Sequence, residues 1–169
     1  MSAANLQPSN DPAERVPMQP REILRLLETT PLLGEMSTRE RAVLAEVAEV
    51  VRCARDVELF GVGQEVRWWY LILNGRVAEA VRAPDGTWQS VRDAAAGECI
   101  GLDAVISGQP ATVQATCVAA CSFVRINAPN FNALLRGPGP ASVKFQLAMQ
   151  EALGTDLRAA LTEMVRLAV

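Results

Sequence analysis

The spacing of apolar residues changes along the chain, and the changes mark out its elements. From Pro20, the group Ile23, Leu24, Leu26 and Leu27 falls at helical spacing before Thr29, Thr30 and Pro31 interrupt it. Ser37 is suited to cap a second helix, and Glu40, three residues on, completes the pattern of a capping box. The helix predicted there carries Val43, Leu44, Val47 and Val50. From Val51 the period shortens. Val57 to Phe60, Trp69 to Leu73, Val77 to Val81 and Trp88 to Val91 read as short strands separated by Gly, Asn, Asp and Pro. Ala83-Pro84-Asp85-Gly86-Thr87 is a turn, because Pro presets φ and Gly tolerates a positive one.

After a small insertion at 101–107, a second strand pair is expected at Ala111 to Ala119 and Cys121 to Ile126. Pro129 to Leu135 suits a short helix, Gly137-Pro138-Gly139-Pro140 breaks the chain, and a last helix follows from about Ala141. Closely spaced strands with no helices between them point to an antiparallel sandwich or roll, not a parallel sheet. The predicted class is α+β, mainly β: an antiparallel, jelly-roll-like β-roll with N-terminal helices and a long C-terminal helix. Three regions are expected: a disordered tail at 1–19, the helices and β-roll at 20–140, and a dimerisation helix at 141–169. The tail holds Pro8, Pro12 and Pro17 among polar residues and has little to bury.

Composition narrows the chemistry. The chain has 169 residues, a formal net charge of −3 and no histidine, so the commonest general base and metal ligand are both missing. The cysteines Cys53, Cys99, Cys117 and Cys121 form no CxxC pair and read as small core residues, with Cys117 and Cys121 spaced to share a strand face. No metal, no cofactor and no catalytic residue are expected. Lys144 is the single lysine beside scattered arginines, an arrangement that argues against broad attraction to nucleic acid. No apolar run approaches a membrane span, and no signal peptide is visible, so a cytoplasmic location with neither a membrane nor a DNA partner is expected.

Glycine spacing makes the fold specific. Phe60-x-x-Gly63, then Tyr70-x-Ile72-x-x-Gly75-x-Val77, resembles the β-roll signature of cyclic-nucleotide-binding domains, the sensor half of the catabolite-activator family and of kinase regulatory subunits. Gly97-Glu98-x-x-Gly101 and Ala111-Thr112-Val113 resemble the two ends of that family's phosphate-binding cassette. The resemblance spans roughly residues 30–165. It makes Gly97, Glu98, Gly101, Leu102, Asp103, Gln109, Ala111, Thr112 and Val113 the candidate pocket residues.

The cassette departs from the family at its chemical positions. The glutamate that the family places after the second glycine, for the ribose hydroxyl, is Leu102 here, with Asp103 one step later. The arginine that clamps the cyclic phosphate is replaced by Gln109, and the stretch between is two residues short. No arginine lies between Arg92 and Arg125. Loss of one charge-assisted bond and one neutral one lowers affinity roughly 100- to 1000-fold. The expected function is therefore a non-catalytic regulatory module acting through an unknown protein partner, with impaired cyclic-nucleotide binding. The alternative is a true receptor for cyclic AMP, cyclic GMP or another small ligand.

Met149, Leu153, Leu157, Leu161 and Met164 form a stripe at three- and four-residue spacing, with Val143 and Leu147 before it. The resemblance implies a helix that pairs with its twin along a two-fold axis, so a homodimer is expected. Transcription factors of the family continue into a helix-turn-helix, which no segment of this sequence supplies. Trp68 and Trp69 are adjacent, so on a strand one faces the core and the other the surface.

Overall fold

The structure is a computed structural model and describes residues 11–168. Two antiparallel sheets form the roll. One runs β1 (Glu14–Val16), β2 (Ala48–Cys53), β9 (Cys121–Asn127), β4 (Trp68–Asn74), β7 (Cys99–Ile100); the other runs β3 (Glu58–Phe60), β8 (Gln114–Cys117), β5 (Arg76–Arg82), β6 (Trp88–Ala95). Helices α1 (Pro20–Glu28), α2 (Thr38–Ala45), α3 (Leu102–Ser107), α4 (Ala128–Arg136) and α5 (Pro140–Ala168) complete the fold.

Local chemistry accounts for most element boundaries. Ser37 Oγ accepts from the Glu40 backbone N–H at 3.2 Å, while Glu40 accepts from the Ser37 N–H at 2.8 Å, closing the box that the sequence predicts. The helix it opens is shorter than its apolar spacing suggests. It ends at Ala45, and Val50 lies instead on β2, opposite Val124 of β9. Pairing with β9 buries both Val50 and Val51, an outcome that local periodicity cannot foresee.

The expected tail at 1–19 also changes. Residues 1–10 lie outside the described residues, but Glu14–Val16 pair with Val50–Arg52 as an edge strand. Two further expectations shift. Ala111-Thr112-Val113 precedes β8 as irregular backbone, and Cys117 and Cys121 end one strand and begin the next. All four cysteines are buried free thiols.

Three aromatic rings of the core cluster where the first sheet meets the helices. Trp69 is fully buried, with its ring 5.5 Å from that of Phe131 on α4 and 6.0 Å from that of Phe145 on α5. Trp68 faces the other way, half-buried, with the Arg125 guanidinium 3.8 Å from its ring centroid. No helix among the described residues is long and apolar enough to cross a membrane.

Candidate ligand pocket

The first end of the cassette, from Gly97, closes at Gly101 in the turn from β7 into α3. Gly101 has φ +82°, and a Cβ there would sit 3.0 Å from both the Trp68 carbonyl oxygen and Val66 Cγ1, so glycine is required twice over. Leu102, at the position the resemblance gives to the ribose-binding glutamate, is only 2% exposed and packs into the core. Asp103 lies on the exposed side of α3, and Gln109 and Thr112 are exposed as well. Gln109 makes a backbone contact, its N–H donating to Ser107 Oγ at 3.2 Å. Ala111 is buried and tied to the 61–64 turn: its N–H donates to the Gln64 carbonyl, and its carbonyl accepts from Gly63 N–H. Val113 packs partly against the core.

Gly97, with φ +89°, turns the chain out of β6, and Glu98 Oε2 caps that turn by accepting from Ala95 N–H at 2.6 Å. These two residues line a small cavity of about 200 Å³, shared with Arg92, Glu151 and Asp156, between the roll and α5. Arg92 dominates it. Its Nη1 lies 3.3 Å from Glu79 Oε2, its Nη2 3.1 Å from Asp156 Oδ1 on α5 and 3.8 Å from Glu98 Oε1, and both nitrogens donate to the Cys99 carbonyl at 3.2 Å.

This cluster carries more acid than base. Burial pushes the Glu79 carboxyl above its usual range against the pull of Arg92, and the charges of Asp156 and Asp103 add to the rise. Asp156 is raised as well, first by burial and then by Glu98 and Asp103, again against Arg92. Asp103, although exposed, therefore acts electrostatically on the Arg92 cluster through Glu79 and Asp156. Arg92 and Glu79 belong to no motif and were not singled out from the sequence; the signal that could have found them is an arginine and a glutamate paired across β5 and β6.

A larger cavity of about 850 Å³ lies elsewhere, among Phe60, Gln64, Arg67, Trp68 and Tyr70. None of the cassette residues lines it.

The family profile described as cyclic nucleotide-binding domain matches residues 50–137. The chain belongs to that family. Among solved structures, a cyclic nucleotide-binding domain from Methylobacillus flagellatus is 20% identical with a TM-score of 0.80, over 95% of this chain and 92% of that one. The regulatory domain of Toxoplasma gondii protein kinase A, crystallised with cAMP, is 16% identical with a TM-score of 0.67, over 80% of this chain and 50% of that one. A regulatory subunit of a cAMP-independent protein kinase A from Trypanosoma cruzi, bound to guanosine, is 18% identical with a TM-score of 0.62, over 79% and 50%. No curated protein matches the chain. At these identities the likeness to solved structures establishes the fold of this cyclic nucleotide-binding domain, with its flanking helices, and not its ligand.

On α5, the residues expected at a dimer seam divide. Met149 is buried against the domain's own core, so it is not available to a partner, and Leu153 is partly buried there too. Leu157 and Leu161 are exposed, and the Met164 side chain lies outside the described residues. The four-residue repeat starting at Met149 drifts around the helix, which is why it mixes the inner and outer faces. The exposed apolar residues Val143, Leu147, Leu157, Leu161 and Val165 instead fall within about 80° of one another at 100° per residue. Phe145, Ala148, Met149 and Ala152 occupy the opposite, buried face.

Proposed function

We propose that the chain is a non-catalytic regulatory module that binds cyclic nucleotides weakly, dimerises through α5 and acts on a protein partner. Burial of Leu102 carries the reading on binding: where the family offers an acceptor to the ribose, this domain has an aliphatic side chain sealed in its core. Two observations support it. Gln109 offers the phosphate one neutral donor in place of a bidentate charged fork. Arg92, which lines a cavity with Gly97 and Glu98 of the cassette, is already engaged by Glu79 and Asp156 in a surplus of carboxylates that opposes a cyclic phosphate. Calorimetric titration with cyclic AMP and cyclic GMP tests the reading.

The dimer is supported by the exposed apolar stripe of α5, which runs on the side of the helix away from the roll. A second reading, a receptor for another small molecule, is favoured by the 850 Å³ cavity, whose size and aromatic lining suit a ligand.

A further inference from the structure

The inner face of α5 is anchored by Phe145, Ala148, Met149 and Ala152, and the residues described beyond Asp156 are all exposed. Asp156 lies one turn beyond Ala152 and ties the helix to the roll through an ion pair. What holds it is a single guanidinium, which reaches from β6 to carboxylates on β5 and α5 and to the Cys99 carbonyl at the start of β7.

We propose that Arg92 is a tether built into the pocket, which docks α5 on the β-roll from within, in the place where a ligand lying between roll and helix would otherwise bridge them. The inference rests on and deepens the functional reading above, because it names a polar contact that adds to the apolar anchor of α5 when no nucleotide is bound. Three features of the geometry support it. The Arg92 side chain is only 12% exposed, so its bonds are shielded from competing water. Its partners lie on three different elements, so no one of them can move away without breaking a charge-assisted bond. The pair Arg92–Asp156 lies directly before the exposed Leu157, so it holds the helix where its apolar outer stripe resumes. Arg92 acts through Asp156 and is a positioning residue.

Hydrogen exchange on the full chain, followed by mass spectrometry, tests the tether. Local opening of a helix segment is read there as faster amide exchange, separately from opening of the whole domain. Asp156→Ala leaves Arg92 bonded to Glu79 and to the Cys99 carbonyl, and alanine favours helix more than aspartate does, so any gain in exchange cannot come from propensity. The expected result is exchange about tenfold faster across residues 153–157, with β4 and β9 unchanged within about twofold. Arg92→Gln should give the same local effect, and the double variant no more than either single one. Unchanged exchange at 153–157 in Asp156→Ala overturns the proposal. So does an equal rise in roll and helix, or a double variant whose effect is the product of the single ones. If Arg92→Gln fails to fold, Asp156→Ala decides alone. No nucleotide is added, so failure of the tether leaves the binding reading standing, and tight nucleotide binding would not rescue the tether.

Discussion

Asp11 and Arg125, 114 residues apart, are joined by two hydrogen bonds, Nη1 to Oδ1 at 3.0 Å and Nη2 to Oδ2 at 2.6 Å. Arg125 also donates through Nε to Glu49 Oε1 at 2.8 Å, so one guanidinium pins both β1's approach and β2 to β9. Burial alone would raise the Asp11 carboxyl, but the bonds from Arg125 and from the Ala13 N–H outweigh it and hold it below its ordinary value of 3.8. A lowered carboxylate stabilises the folded state above its unfolded value and loses that contribution as pH falls through the folded one. The pin should therefore weaken below about pH 3.8. Asp11→Ala is expected to cost about 1–3 kcal/mol in urea unfolding at neutral pH and almost nothing in strong acid. An equal cost at both pH values would contradict the pairing.

Tyr70 is the only tyrosine, so its titration can be followed without interference. It is 3% exposed, and burial pushes its phenol up to about 12 although Arg125 acts in the other direction. Phenolate absorbance should stay flat through pH 10, the ordinary value, and rise toward pH 12. Because the folded value is the higher one, this group's contribution to stability is complete below pH 10 and lost as pH climbs to about 12. A transition at pH 10 in the folded protein would show that the ring is not sealed.

How much of this was legible in the sequence depended on whether the cause was local. The Ser37–Glu40 box, the turn at Pro84 to Gly86 and the break before α5 are written in adjacent residues, and they appear where the pattern puts them. The division of labour between Trp68 and Trp69 also followed from strand alternation. What escaped was tertiary. Val50 belongs to a strand because β9 lies beside it, and residues 14–16 are ordered because β2 offers them an edge. The cassette was found by its glycines, whereas Arg92 and Glu79, which fill the space beside it, come from paired strands and follow no motif. For α5 the sequence showed the apolar residues but not which of them the roll would cover.

The α5 stripe predicts a dimer that two substitutions dissolve. Leu157 and Leu161 are 61% and 51% exposed in the single chain, so glutamate at both should leave the fold intact and place charges in the seam. The double variant is expected to run as a folded monomer in light scattering, with an unchanged circular dichroism spectrum. A wild-type chain that is monomeric at tens of micromolar would end the dimer account.

Gly101 is predicted to be intolerant of a side chain. Its φ of +82° disfavours any L residue, and a Cβ would press on the Trp68 backbone oxygen at 3.0 Å. Gly101→Ala should lose roughly 2 kcal/mol of stability, visible as a lowered thermal midpoint. A midpoint equal to wild type would mean that the turn into α3 relaxes freely.

The central proposal is that this member of the family binds cyclic nucleotides poorly, because Leu102 is buried and the resemblance puts Gln109 at the position of the phosphate clamp. Isothermal titration calorimetry with cyclic AMP and with cyclic GMP measures it directly. The account predicts either no detectable heat or a submillimolar Kd, about 100- to 1000-fold weaker than a micromolar receptor. A Kd at or below the low-micromolar range for either nucleotide would contradict it.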